Sequence, residues 1–578
     1  MIPVTGAPDL WCTYAAVRTL AWLGRADRTP NLELTARYLH GRRNPDGGYA
    51  WSRGMPSDAW ATFYCASALT DLGQRPAGLA ETARWLREAW SQDAYAMMPG
   101  QDPDVWATHF ATRTAVEICG DDVPDRRRLL AWLGALQTAD GGLSWTPAHA
   151  ERGDADVRAC YYGVAAWRAL CAAEPVDPPW DVAALTGWLR RQQMPGGGFR
   201  FGPEATVPCL WATYRAVGAL AALGAAPAAP CADWILGQRN TSGGFVRWPG
   251  YPVADVWAGF STVGALRALS GVPVAVADAV EKRVAELACP EGGFTYREPE
   301  AAADVLTVAA TLLAAGAADD GDDGDGDGDG TPGDHDRTGA ELRRWLEGCR
   351  LPNEGGVMYM PGRGAEIRCT LWALAAGAFR DDPAARRDIA DWLGRMQNPD
   401  GGYGFWHGRG SDLVSTAAAV EIHRLLGSPV RDGAALAAFV ARCDRGEDGA
   451  GNVPGAPATL RAGLHAARVR AFLGDAQPAR VAALLDRHRV RGGGWADQGN
   501  RLPDLLSTYQ AVVTADRLGV PVDRAHLGAF LARTSTAGGV SWSPLAPADD
   551  DPLATCLHRL LARRRDDPSA VPPALTLS

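Results

Sequence analysis

The sequence predicts an all-α fold: (α/α) toroid repeats, about twelve helix pairs in two α/α-barrels. Three observations carry this expectation. First, an Asp-started apolar helix, a second helix and a Gly-Gly-aromatic turn return roughly every 45–52 residues. The starts read DLWCT (Asp9), DAWAT (Asp58), DVWAT (Asp104), DVRAC (Asp156), CLWAT (Cys209), DVWAG (Asp255), DVLTV (Asp304), EIRCT (Glu366), DLVST (Asp412), TLRAG (Thr459), DLLST (Asp504) and DPLAT (Asp551). Second, the first helix of each unit is apolar nearly all round, the pattern of a helix buried on every side. Third, second helices such as 127–137 (RRLLAWLGALQ) and 386–397 (RRDIADWLGRMQ) carry Arg or Asp on one face and Leu, Ile and Trp on the other. Buried helices alternating with amphipathic ones make a double-layered closed toroid or an open α-solenoid, and twelve pairs suit two toroids of about six pairs each.

Each element has a local reason. In the unit 207–245 the inner helix CLWATYRAVGALAALG stops at Gly224, a C-terminal capping residue. A Pro/Ala loop leads to a shorter outer helix, CADWILGQ, and the turn NTSGGF uses glycine for the positive φ such turns need. The Asp that opens most units stands where a carboxylate caps free N–H groups and complements the helix dipole. The Thr or Ser four residues on (Thr13, Thr62, Thr108, Thr213, Thr416, Thr508, Thr555) is expected to pack and to bond back to the preceding turn. The stretch DDGDDGDGDGDGTPGDHD has no apolar content with which to form a core and reads as disordered. It separates the seventh inner helix from an outer partner expected at 343–350. The expected organisation is an N-terminal toroid over 1–315, an Asp/Gly-rich insert over 316–338 and a C-terminal toroid over 339–578.

Composition narrows the classes. Of the net charge of −10, the nine Asp between 319 and 336 account for nine, so the body is near neutral and nucleic-acid binding is not expected. The 12 Cys contain no Cys-x-x-Cys, and Cys12, Cys160, Cys209, Cys369 and Cys556 fall inside apolar helices. They read as buried free thiols of a reducing compartment. The start, Met-Ile-Pro-Val-Thr, lacks a basic region before an apolar run, and no apolar stretch reaches transmembrane length. The expectation is a cytoplasmic protein, with peripheral membrane contact left open.

Two sets of motifs carry a family resemblance. The outer helix plus turn in 132–145 (WLGALQTADGGLSW), 234–245 (WILGQRNTSGGF) and 392–406 (WLGRMQNPDGGYGFW) resembles the Gln-Trp repeats of triterpene and class II diterpene cyclases. The resemblance implies that the Gln amide bridges one helix end to the next turn, with the Trp stacked on it. Segments 11–20 (WCTYAAVRTL), 153–162 (GDADVRACYY) and 507–519 (STYQAVVTADRLG) look like protein prenyltransferase β-subunits. Both families have the α/α-toroid fold and act on isoprenoids.

The chemistry of each family can be tested by column. Class II cyclases place an Asp-x-Asp-Asp acid at an inner-helix start, where a neighbouring carboxylate and hydrogen bonds hold its proton. Here the third column reads Trp11, Trp60, Trp106, Arg158, Trp211, Trp257, Leu306, Arg368, Val414, Arg461, Leu506 and Leu553. By chain position Asp304-Val-Leu-Thr is the best match, and Leu306 stands where the acid belongs. One literal match, Asp320-Gly-Asp-Asp323, lies in the insert and reads as chance. Prenyltransferases hold Zn²⁺ with Asp, Cys and His; Asp255 is present, but Trp257 and Thr307 take the other two columns, so no metal ligand set is expected and no α-subunit is implied.

The remaining candidates are the acid pairs before inner helices. Asp104 (with Asp102), Asp154 and Asp156 could raise one another's pKa as a general acid requires, and Asp304 is the fourth candidate. Each also reads as an acidic cap. Arg158 could grip a diphosphate bidentately or pair with Asp154 or Asp156. Trp106, Trp257 and Tyr161 could line an apolar lumen and stabilise carbocations through their π faces, or simply fill space. The first functional expectation is a terpenoid-cyclase-like enzyme acting on a polyprenyl diphosphate or squalene-type substrate by protonation-initiated cyclisation with a non-standard acid. A zinc-independent prenyltransferase-like enzyme and a non-catalytic isoprenoid-binding or scaffold protein are the alternatives. A diphosphate substrate would bring Mg²⁺ as its counter-ion; no other cofactor is expected.

Overall fold

A computed structural model describes residues 8–577 apart from 53–54, 173, 242, 252–253, 296–303, 320–333, 360–363, 499–501, 537 and 547–550. The chain divides into two compact units, 3–302 and 303–578. Each is a closed ring of six inner helices. In the first unit these are α1 (Leu10–Trp22), α2 (Ala59–Asp71), α3 (Val105–Arg113), α4 (Val157–Leu170), α5 (Leu210–Ala222) and α6 (Val256–Leu269). In the second they are α7 (Val305–Asp319), α8 (Ile367–Ala375), α9 (Leu413–Leu426), α10 (Leu460–Phe472), α11 (Leu505–Leu518) and α12 (Pro552–Asp566). Each inner helix adjoins the next, and the last adjoins the first in both units, which decides for closed toroids over an open solenoid. Outer helices lie between successive inner ones, for example Leu79–Glu88, Val182–Arg191, Pro383–Met396 and Pro478–His488.

The expected boundary at 315/316 and the observed division at 302/303 differ by one element. Helix α7 packs on α8 and α12 of the second unit, so the first ring takes six inner helices rather than seven. The outer helix expected at 343–350 begins earlier, as Asp334–Gly348. Residues 320–333 of the insert lie outside the described residues.

The repeat motif has a definite job at each position. Every inner helix starts on a side-chain cap: Asp58 accepts from Ala61 N at 2.7 Å, Asp255 from Ala258 N at 2.9 Å, and Cys209 and Thr459 do the same with Sγ and Oγ1. The threonine four residues on ties two units together. Thr62, Thr213, Thr370 and Thr416 Oγ1 accept the amides of Tyr49, Phe199, Val357 and Tyr403 in the preceding turn, at 2.9–3.0 Å. The first unit closes by the same bond, Phe294 N donating to Thr13 Oγ1 at 3.0 Å, while Asp9 N donates to Phe294 O at 2.9 Å.

The glutamine bridges as the resemblance implies. Gln397 Nε2 donates to Gly401 O of its own turn and to Asp432 O at the next outer helix, while its Oε1 accepts from Asp432 N, all at 2.9 Å. The tryptophan covers glycine. A Cβ on Gly142 would lie 2.7 Å from Trp188 and one on Gly198 2.4 Å from Trp234. The second glycine of the turn is therefore a contact surface for the next outer helix.

All 12 cysteines are free thiols, and Cys12, Cys160, Cys209, Cys369 and Cys556 are buried. No described helix is long and apolar enough to cross a membrane.

Candidate functional site

The inner helices of a ring run parallel and in register, because residues at equal distances from their caps meet. Trp11, Trp60 and Trp106, each two residues past its cap, are in ring contact at 6.0 and 4.8 Å. Helix N-termini thus gather at one mouth of each ring.

At the first ring's mouth lie most of the acids read from the sequence. Asp104 accepts from Ala107 N at 2.7 Å, and Asp154 pairs with Arg152 at 3.2 Å. Asp156 caps α4 and also holds Arg158, whose Nε and Nη2 donate to its two oxygens at 3.0 and 2.7 Å. The guanidinium lies over Phe201 at 4.3 Å. Of the two roles open to Arg158, the structure brings out the pairing with Asp156. Asp304, in the second ring, caps α7 through Thr307 N and Oγ1 at 2.9 and 2.8 Å.

The interior of the first ring is filled by its own side chains. Rings on helices that do not adjoin meet across it: Trp11 with Trp211 at 5.7 Å, Tyr64 with Trp257 at 6.2 Å, and Trp22 with Tyr214 at 6.1 Å. Tyr14 stacks on Tyr64 at 3.9 Å, and Trp106 stacks on Tyr162 at 5.7 Å. Tyr161 donates to or accepts from the Tyr214 hydroxyl at 2.6 Å. Burial pushes the Tyr14 phenol up to about 12 and the His109 imidazole well below its usual range. Trp106, Trp257 and Tyr161 take part in these contacts.

The second ring is different, and most of its polar groups went unnoticed in the sequence. At its mouth Arg368 pairs with Glu366 at 2.6 Å and lies over Phe405 at 4.2 Å, while Arg461 pairs with Asp497 at 3.0 Å. Between them Asp412 caps α9, accepting from Ser415 N and Oγ at 2.8 and 2.9 Å. Burial pushes its carboxyl up to about 6, against the opposing pull of Ser415 and Arg368. Farther along, Glu421 of α9 accepts from Arg424 and, across the ring past α10, from Arg517 of α11, both at 2.7 Å. Arg468 of α10 donates to Thr514 Oγ1 and His465 Nδ1, each at 2.7 Å, and burial lowers it to about 10. It makes no ion pair with a described carboxylate, although only 7% of it is exposed.

The centre of this ring holds the chain's own C-terminal segment. Tyr509 Oη donates to Pro573 O at 2.6 Å, Gln510 Nε2 to Leu575 O at 2.8 Å and Trp372 Nε1 to Thr576 O at 3.0 Å. Trp372 is on α8 and Tyr509 and Gln510 are on α11, helices that face one another in the ring of six. Ala574, Leu575 and Thr576 are buried. A sequence signal existed for the charges, since Arg461, His465, Arg468 and Arg470 all stand in this inner helix. None existed for the tail.

Among the described residues no group of three or more His, Cys, Asp and Glu side chains is placed to hold a metal ion. Asp255 caps α6 beside Trp257, which does not fit a zinc site. Among the described residues no carboxylate cluster is placed to hold Mg²⁺ either. The literal match Asp320–Asp323 lies outside the described residues.

Closed rings of paired helices, joined by glycine turns and threonine ties, define an α/α-toroid protein. The chain belongs to the family of the prenyltransferase alpha-alpha toroid domain, whose model matches residues 3–69, 54–183, 180–325 and 330–467. It is 30% identical over 186 residues to a drimenyl diphosphate synthase of Streptomyces showdoensis, a match covering 30% of this chain and 32% of that protein. The chain thus spans about a third of the length of that relative. Among solved structures it is similar to an ent-copalyl diphosphate synthase from Streptomyces platensis (TM-score 0.37, 16% identity, covering 97% of this chain and 95% of that one). It is also similar to a Candida albicans protein geranylgeranyltransferase-I complexed with GGPP (TM-score 0.35, 15% identity, covering 42% and 82%).

Proposed function

We propose that the protein is a terpenoid-cyclase-like enzyme that binds a polyprenyl substrate in the ring of its second unit, with Asp412 as the acid. The observation that carries this reading is the state of Asp412. Its carboxyl is buried at the mouth, and burial pushes it up to about 6, so about a tenth carries a proton at pH 7 and more as the pH falls. Oδ1 can accept from Ser415 N in either state, and when Oδ2 carries the proton Ser415 Oγ, which donates to the ionised carboxylate, turns to accept from it. The proton would pass to an alkene carbon, internal alkenes would close rings onto the resulting cation, and loss of a proton from the last cation would complete an isomerisation with no net proton change. Asp154 and Asp156 are weaker choices, because each is paired with an arginine, while Asp104 and Asp304 cap their helices as Asp412 does.

A second reading, a non-catalytic isoprenoid-binding protein, is favoured by the two filled rings. Incubation with geranylgeranyl diphosphate, farnesyl diphosphate and squalene separates the readings. A cyclised product that keeps its diphosphate, absent in Asp412→Asn, supports the acid-initiated reaction. Released pyrophosphate points to a prenyltransferase-like ionisation. Binding without turnover leaves the second reading.

A further inference from the structure

The C-terminal segment in the second ring is held in an unusual way. Its three wall contacts, from Tyr509, Gln510 and Trp372, all go to main-chain carbonyls, those of Pro573, Leu575 and Thr576. The ring therefore grips an extended backbone without reading its side chains. The segment follows α12 through residues 566–571, most of which are exposed. It has no helical or strand partner of its own, so it can leave without unfolding any element.

The walls it covers are poorly matched to a permanent apolar core. Gln510 Oε1 is buried without a hydrogen-bond partner. Arg468, 7% exposed and without an ion pair to a described carboxylate, lies near enough to Tyr509, which holds Pro573 O, for its charge to act on the phenol. A buried charge that nothing pairs is costly. A narrow apolar strand of Pro572, Ala574 and Leu575 held by hydrogen-bond donors has the outline of a chain-like amphiphile.

We propose that residues 572–576 are a displaceable plug: they occupy the place of the polyprenyl chain, and substrate entry requires their withdrawal through the exposed tether. This rests on the reading of the second ring as the polyprenyl site. The tail would then set access to the ring, acting as a built-in competitor at an effective concentration fixed by its tether.

The test uses the full-length protein and a variant ending at Val571, with geranylgeranyl diphosphate as the probe. In hydrogen exchange on the full chain, the amides of 574–577 should be protected alone and lose protection when the probe is added. The shortened variant should bind the probe at least tenfold more tightly while keeping a cooperative thermal transition. Equal affinity of both forms with the tail still protected would overturn the plug and leave the polyprenyl reading standing. Probe binding to neither form would overturn both. If the shortened variant does not fold, the exchange measurement decides: unchanged protection in the probe-bound full chain marks the tail as fixed core and overturns the plug.

Discussion

Arg158 turns back on Asp156, two residues before it, and grips both carboxylate oxygens, at 3.0 Å from Nε and 2.7 Å from Nη2. Glu366 and Arg368 repeat the clasp in the second ring at 2.6 Å. In each case one acid caps the helix and neutralises the arginine that occupies an inward column. Asp156→Asn keeps the cap but leaves Arg158 without its partner, at a cost of about 1–3 kcal/mol; Asp156→Ala should cost roughly 1 kcal/mol more through the lost cap. Denaturant unfolding checks the order, and equal stability of the two variants would show that the cap contributes nothing.

The glycine turns give a sharper contrast. A methyl on Gly142 would lie 2.6 Å from Ala155 Cβ and 2.7 Å from Trp188, so Gly142→Ala should destabilise by about 1–3 kcal/mol through overpacking. Gly153 meets nothing within 4 Å but sits at φ +74°. Gly153→Ala should cost about 1–2 kcal/mol from backbone conformation alone. Thermal melts of both variants test this, and only the Gly142 change should alter near-UV signals from Trp188.

Gln397 is 2% exposed and spans two units with three hydrogen bonds. Gln397→Ala leaves Asp432 N and two carbonyls without their partner, which should cost about 2–3 kcal/mol. An effect below 0.5 kcal/mol in equilibrium unfolding would show that water replaces the amide.

Asp412 makes two pH predictions with a common sign. Its folded pKa of about 6 lies above the ordinary value of 3.8, so between these the folded state binds more protons than the unfolded. Its contribution to stability therefore falls as pH rises from about 4 to about 6, by on the order of 2–3 kcal/mol. Asp412→Asn should remove that slope, which unfolding at pH 4.5 and pH 7 will show. Turnover by the proposed reaction should likewise decline as pH rises through about 6, because the acid form is lost.

Arg468 is 7% exposed with Thr514 and His465 as partners. Arg468→Met should be neutral or stabilising, since a buried charge without an ion pair to a described carboxylate is replaced by an apolar side chain. If the second ring binds a polyprenyl diphosphate, the same change should weaken that binding about tenfold, consistent with losing one charge-assisted hydrogen bond. Calorimetry and titration with geranylgeranyl diphosphate read the two effects separately.

How far the sequence reaches depends on whether a feature is local or crosses the ring. The Asp caps, the threonine column and the Gln bridge are legible because each repeats at fixed spacing and acts on its own or the adjacent unit. Glu421 and Arg517 are 96 residues apart and meet past an intervening helix, so their pairing needs a closed ring to be seen. The tryptophan column is legible as a column, but whether its five indoles line a lumen or fill it depends on ring diameter, which no spacing encodes. Pro572–Thr576 has no period and no motif, and only the ring around it gives it meaning. The unit boundary was misplaced by one helix because the Asp/Gly insert is the loudest change in composition, while ring closure decides where α7 belongs.

The bond from Phe294 to Thr13 joins residues 281 apart, yet it is the same bond that links Phe199 to Thr213 and Tyr403 to Thr416. The seam of the first ring thus uses the same bond as its joints at Thr62, Thr108 and Thr213, while Cys160 Sγ takes the place at α4 and Gly259 offers no side chain at α6. The ring's start is not marked by a different joint, and a circular permutant opened at an outer loop, with residues 8 and 295 linked, should rebuild the same joints. An open array needs special end repeats to shield its last faces; a closed one has no ends to shield, and losing any single joint exposes two faces at once.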